Sequence, residues 1–230
     1  MSKIMENIGS VLGEIRAAAL RAGRDPAEVT LVVVTKTRTV AEIEEALAAG
    51  VRHLGENRVQ ELRSKAPFLQ AQQPTWHLIG TLQTNKVKQA LEWADLIHSL
   101  DRVSLLEELV KQCERRGRPC DALVQVNVSG EHTKQGLAPA DLEPFLRLVA
   151  GQRWVRVRGL MTMAPLVDDP EKARPYFRRL RELRDQVRDL GLEGISMEHL
   201  SMGMSGDYVV GVEEGATLVR VGTAIFGPRD

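Results

Sequence analysis

Lys36 closes an apolar run, Leu31-Val32-Val33-Val34-Thr35-Lys36, where desolvating an ammonium group would be costly without a chemical purpose. Burial disfavours the charged form and so favours a nucleophilic amine, the group that condenses with carbonyl compounds. The plainer reading is a strand-end lysine that snorkels to water. Arg220 raises the same question inside Leu218-Val219-Arg220-Val221, because a buried guanidinium needs a carboxylate partner or a ligand. Upstream, Ser201-Met202-Gly203-Met204-Ser205-Gly206-Asp207 joins hydroxyls and glycines ahead of a helix start, and Gly222-Thr223 follows Arg220 directly. Free backbone N–H groups at such places favour an anion such as phosphate. An ordinary cap, with Ser205 or Asp207 satisfying the first turn, accounts equally well for either loop taken alone. His77, between Trp76 and Leu78, reads first as a satisfied core histidine and only second as a catalytic one. The arginine-rich stretch from Arg174 to Arg188 reads as a solvated helix face.

These residues fall at regular places in an alternating pattern. Helical spacing of apolar residues from Ile4 to Leu20 precedes a strand at residues 30 to 35 that leads into Lys36. Further strands are expected at Val51 to Leu54, Thr75 to Ile79, Leu96 to Ser99, Ala122 to Val128, Val155 to Met161, Ile195 to Leu200 and Thr217 to Val221. Helices are expected between them, near 39 to 49, 57 to 71, 83 to 93, 102 to 116, 139 to 150, 171 to 190 and 205 to 212. Eight strands alternating with helices fit a (β/α)8 TIM barrel, an α/β fold, better than an open doubly wound sheet. No Gly-x-Gly-x-x-Gly fingerprint follows the first strand. No closing helix is expected after the eighth strand, and the additional N-terminal helix is expected to cover that gap. Barrels of this type build their sites at the C-terminal ends of the strands, where Lys36, Asn57, Ser201 and Arg220 fall, and they often bind phosphate after strands seven and eight.

Composition narrows the classes. With 230 residues, 43% of them hydrophobic, the chain can bury one sizeable core, and no shift in composition marks a linker, so residues 1–230 are read as a single domain. Acidic and basic residues balance at 31 each, which leaves no global field to attract nucleic acid or an anionic membrane. Cys113 and Cys120 are too few for a disulfide framework or a zinc quartet and indicate a reducing compartment. No stretch has the length to span a bilayer, and the N-terminus lacks the apolar run of a signal peptide. A soluble, cytoplasmic, monomeric protein is expected.

An amine at the end of strand one together with an anion cup after strands seven and eight points to pyridoxal 5′-phosphate held as a lysine Schiff base. The motifs Val33-Val34-Thr35-Lys36, His53-Leu54-Gly55-Glu56-Asn57-Arg58-Val59-Gln60-Glu61, Trp76-His77-Leu78-Ile79-Gly80-Thr81-Leu82-Gln83-Thr84-Asn85-Lys86, Gly159-Leu160-Met161-Thr162, Leu200-Ser201-Met202-Gly203-Met204-Ser205 and Val219-Arg220-Val221-Gly222-Thr223 resemble those of the pyridoxal phosphate homeostasis proteins, whose barrel resembles the N-terminal domain of alanine racemase. Thr39, where the family often carries proline, and Val209-Val210-Gly211-Val212 depart from the pattern. The resemblance implies that Lys36 forms the aldimine, that Ser201, Met202, Gly203, Gly222 and Thr223 surround the phosphate, that Arg220 faces the pyridine nitrogen, and that Asn57 and His77 line the pocket. A guanidinium can only donate, so a ring nitrogen facing it stays unprotonated and the ring is a weaker electron sink. Racemisation needs a second acid or base on the opposite face; alanine racemases take a tyrosine from a further domain, whereas Tyr176 and Tyr208 here fall in helical segments. The resemblance therefore implies a carrier or buffer in vitamin B6 and amino-acid homeostasis rather than an enzyme, with PLP-dependent apoenzymes as recipients. A small PLP-dependent amino-acid racemase is the alternative, and a Schiff-base aldolase acting on a sugar phosphate is a further one.

Overall fold

Eight short strands carry the architecture: β1 (Thr30–Val34), β2 (His53–Glu56), β3 (Thr75–Leu78), β4 (Leu96–Leu100), β5 (Cys120–Gln125), β6 (Val155–Met161), β7 (Ile195–Met204) and β8 (Leu218–Val221). In the computed structural model, which describes residues 2–131 and 134–228, they pair in parallel and in sequential order, and β8 returns to β1 to close a barrel. This is the (β/α)8 barrel expected from the alternation. Helices α1 (Lys3–Arg21), α2 (Val40–Ala48), α3 (Val59–Leu69), α4 (Val87–Ala90), α5 (Val103–Arg116), α6 (Leu142–Val149), α7 (Arg174–Arg188), α8 (Tyr208–Glu213) and α9 (Thr223–Phe226) surround it.

Side chains alternate along each strand, so one set faces the helices and the other the barrel interior. The outward set joins the helices in the main core, with Leu54, Leu78, Ile97 and Val219 almost wholly buried. The inward set is unusual in its mixture. A small apolar cluster of Val32, Leu96, Leu123, Met161 and Leu218 shares the interior with buried His77, His98, Ser201 and Arg220.

Local chemistry explains several boundaries. α2 opens with a capping box in which Thr39 accepts from the Glu42 N–H and the Glu42 carboxylate accepts from the Thr39 N–H, which is the local reason for a threonine at this position. α5 stops at left-handed Gly117. The helix expected over residues 83 to 93 is instead a 3-10 turn at Thr84–Lys86 followed by the single turn of α4, since Thr84 and Asn85 belong to the residue types whose side chains compete with helical backbone bonds.

Two expectations change at the ends of the wheel. A closing element does follow β8, the one-turn α9, but it is too short to cover the sheet. α1 supplies the cover, packing against α2, α8 and α9 through Ile8, Val11, Ile15, Ala18 and Ala19. It is fastened by Asn7 Nδ2 donating to the Ile225 carbonyl at 2.7 Å and by the Tyr208 hydroxyl donating to Glu14 at 2.7 Å. The face of α7 is also less solvated than its composition implies, because Arg174, Arg178 and Arg181 all reach the buried Glu214 carboxylate just past α8.

Candidate functional site

A cleft of about 1140 Å³ opens at the C-terminal ends of the strands. Its floor and walls include Lys36, Asn57, Gly80, Arg220, Gly222 and Thr223, together with Ser205, Gly206 and Asp207. Lys36 lies two residues beyond β1, half-buried in a turn, after the ladder is extended by the Thr35 N–H donating to the Gly55 carbonyl at 2.9 Å. The strand is therefore shorter than the apolar run, and the amine projects from the turn into the cleft rather than from within the sheet.

A buried network holds that turn. Lys65, on α3, donates to the Thr35 carbonyl at 2.8 Å, to Glu56 Oε1 at 2.7 Å and to Glu61 Oε2 at 3.1 Å. Glu56 Oε1 also accepts from the Thr35 hydroxyl at 2.7 Å, and Glu61 Oε2 accepts from the Thr37 N–H at 2.7 Å. Thr37 adopts φ +64°, a left-handed conformation that costs a β-branched residue about 1 to 3 kcal/mol. The carboxylate and ammonium partners on both sides fix this conformation, so the lysine's backbone has little freedom. Burial raises the Glu56 pKa, whereas the bonds from Thr37 and Lys65 hold Glu61 below its ordinary value against desolvation.

Ser205 lies in the cleft wall. Its Oγ accepts from the N–H groups of Gly222 and Ala224 at 3.2 and 3.3 Å, so two backbone donors already converge on one oxygen. Gly222 permits this approach: a Cβ there would lie 3.1 Å from the Val34 carbonyl oxygen. Gly80 has a similar role across the cleft, where any Cβ would run into the Asn57 carbonyl and push the β2 and β3 loops apart.

Arg220 is 3% exposed, donates from Nη1 to Ser201 Oγ at 2.5 Å and from Nη2 to the Thr162 carbonyl at 2.9 Å, and borders the cleft. Burial lowers its pKa to about 10, partly opposed by Asp207, so the guanidinium remains charged at neutral pH. Asp207 accepts from the Met204 N–H at 2.6 Å, and its own pKa is raised by burial.

Not every residue expected in the site reaches the cleft. Ser201 is wholly buried in β7 and bonded to His98 and Arg220; Met202 belongs to the outer core; Gly203 packs its backbone against Tyr208; and His77 is enclosed in the barrel. The hydroxyl that reaches the cleft wall is that of Ser205, because β7 continues four residues beyond its expected end at Leu200 and carries Ser201 inside. Neither tyrosine lines the cleft. Among the described residues no cluster of His, Cys, Asp and Glu could hold a metal ion, and no helix is long and apolar enough to cross a membrane.

A closed parallel barrel whose cleft is lined by a lysine just past β1 and by the loops after β7 and β8 defines a class, and the family model of the alanine racemase N-terminal domain matches residues 14–230. The chain is 44% identical over 224 residues to a pyridoxal phosphate homeostasis protein of Aquifex aeolicus, covering 97% of each, and 43% identical over 230 residues to that of Pseudomonas aeruginosa, covering all of this chain and 97% of the relative. It belongs to the pyridoxal phosphate homeostasis protein family. A solved structure of PipY from Synechococcus elongatus with PLP bound superposes with a TM-score of 0.84 at 38% identity, covering 97% of this chain and all of that one.

Proposed function

We propose that this protein binds pyridoxal 5′-phosphate in the cleft through Lys36 and acts as a carrier or buffer of the cofactor in vitamin B6 and amino-acid homeostasis. The observation that carries this reading is the shared cleft, which is lined by the turn-held lysine, by the loops after β7 and β8 and by a buried guanidinium. The cofactor supplies an aldehyde that condenses with amines and a ring that can withdraw electrons from them. Lys36 is the attachment point. Ser205, Thr223 and the N–H groups of Gly222 and Ala224 take the phosphate, whose oxygens compete for the donors that meet Ser205 Oγ. Arg220, which borders the cleft, would face the ring nitrogen and, being only a donor, would keep it unprotonated. Asn57, just past β2, would border the ring. Met202, Gly203, Ser201 and His77 support these groups from behind.

Carriage is favoured over racemisation by the absence of tyrosine from the cleft lining and by the Tyr208 hydroxyl being committed to Glu14. Two-sided proton transfer needs a second acid or base within reach of the substrate carbon. Residues 1–230 act as one cofactor-binding domain in this reading, with apoenzymes as recipients, a cytoplasmic setting and a monomer as the working unit.

Borohydride reduction of the loaded protein followed by peptide mapping tests the attachment. An adduct on Lys36, lost in Lys36→Ala while weaker non-covalent cofactor binding persists, is the expected result. A reducible bond fully retained in that variant overturns it. Exchange of an amino acid's α-hydrogen in deuterated water is expected at background rate; sustained exchange would favour the racemase instead.

A further inference from the structure

Three histidines cross the barrel interior in single file. His53 at the start of β2, His77 in β3 and His98 in β4 are linked by 2.9 Å contacts, His53 Nδ1 to His77 Nε2 and His77 Nδ1 to His98 Nε2. Their ring centroids are 5.2 and 5.1 Å apart. The file continues from His98 Nδ1 to Ser201 Oγ at 2.9 Å and from there to Arg220. It runs from the N-terminal rim, where His53 is half-buried, to the side of the barrel that carries the cleft. His77 and His98 are wholly enclosed, and burial lowers the pKa of His77 to about 3 and that of His98 well below its ordinary value, so both are neutral.

A neutral imidazole has one donor and one acceptor, so the direction of each bond in the file sets the next. Arg220 can only donate, which makes Ser201 Oγ an acceptor at that end. If the Ser201 hydroxyl donates to His98 Nδ1, then His98 Nε2–H donates to His77, His77 Nε2–H donates to His53, and only His53 Nε2–H is left for water at the rim. Every proton is then used. The opposite direction strands the Ser201 hydroxyl proton, for which the described residues offer no acceptor. We propose that His53, His77, His98 and Ser201 form one hydrogen-bonded chain, in which the charge state of His53 at the rim and the direction of the Ser201 hydroxyl beside Arg220 change together.

The balance is simple. Each proton moves one place toward the rim, from His77 Nε2 to His53 Nδ1, from His98 Nε2 to His77 Nδ1 and from the Ser201 hydroxyl to His98 Nδ1, and the one proton taken up, from the cleft side beside Arg220, restores the Ser201 hydroxyl and leaves both nitrogens of His53 as donors. His77 and His98 then each carry their proton on Nδ1 instead of Nε2, and His98 donates to Ser201, whose oxygen accepts from both His98 and Arg220 while its own proton has no acceptor among the described residues, the cost that keeps the file in its other direction until His53 is charged. Only His53 is charged. From neighbouring elements His53 is faced by His77, by the Asp95 carboxylate ahead of β4, which favours the charge, and by His199 on β7, which opposes it. His199 in turn is influenced by Glu198, Arg158 and Asp121. At the far end Arg220 is paired electrostatically with Asp207. His53 is thus a positioning residue that acts on Ser201 and Arg220 through two other rings.

Two-bond proton–nitrogen spectra of the cofactor-free protein labelled with 15N-histidine, taken from about pH 8 to about pH 5, test the chain across the range where histidine titrates. All three rings are expected as Nε2–H at the alkaline end. His77 and His98 should exchange to Nδ1–H with the midpoint of His53 while staying neutral, and in His53→Gln both should hold one tautomer throughout. Rings that keep their tautomers while His53 titrates, or that exchange in His53→Gln, overturn the proposal. Its reach to the cofactor rests on the function proposed above and is read separately. With pyridoxal phosphate added, absorbance should shift with the His53 midpoint in the unsubstituted protein and not in His53→Gln; absorbance without that midpoint cuts the chain off from the cleft. A protein that takes up no cofactor removes the functional reading and leaves the tautomer result standing.

Discussion

At the scale of single residues, the chemistry of the cleft depends on groups that hold other groups. Ser205→Ala removes the oxygen that gathers two backbone N–H groups, and it is expected to cost about 1 kcal/mol of stability and to weaken PLP and inorganic phosphate binding by roughly five- to tenfold, measured by titration. Lys65→Met leaves the fully buried Glu56 without its cation and is expected to lower the unfolding free energy by about 3 to 5 kcal/mol in urea, with Glu56→Gln less costly because the amide still accepts from Thr35 and Lys65. Lys36, Arg220 and Gly222 were legible in the sequence because each breaks an apolar pattern where a strand should end. Ser205 was harder to separate from Ser201, since two serines four residues apart fit the same motif and only the true length of β7 decides which one is inside. The partners of His77 were not legible at all: His53 and His98 lie 24 and 21 residues away, and each looks like an isolated histidine among apolar neighbours.

Secondary-structure elements were recovered from the sequence wherever a 2.0 or 3.6 periodicity ran long enough, as in β6 or α5. Ends governed by tertiary pairing were not. β7 continues because Ser201 pairs with Met161 and Leu218 and Met204 pairs with Arg220, partners invisible from a Ser-Met-Gly-Met string that reads locally as a loop. α1 shows the same dependence in helical form. Because it serves as cover for the seam between β8 and β1, Ile8→Ala and Ile15→Ala are each expected to cost about 2 to 4 kcal/mol, as core truncations do, and a double variant should expose the seam to hydrogen exchange before the rest of the barrel. Gly80→Ala tests the coupling of two loops: a Cβ against the Asn57 carbonyl is expected to displace Asn57 and weaken cofactor binding more than it lowers stability, which a paired titration and melt would separate.

For the molecule as a whole, the enclosed imidazoles predict how it fails in acid. His77 and His98 have folded-state pKa values below the ordinary 6.5, so below that pH the unfolded chain binds more protons than the folded one. Their contribution to stability is complete above pH 6.5 and is lost as pH falls. Each group adds about 1.4 kcal/mol per pH unit, so urea unfolding between about pH 6 and pH 5 should approach a slope of about 3 kcal/mol per unit, before most carboxylates begin to titrate. A slope near zero would show that the rings are charged or solvated in the native state. The closed ladder from β1 round to β8 has one more consequence. Its strands expose no unpaired edge, so another protein cannot dock by adding a strand to the sheet. In the carrier role proposed above, a recipient protein would meet the loops around the cleft mouth, including Met163 and the fully exposed Leu166, so that side chains and loop shape rather than backbone pairing would decide the fit.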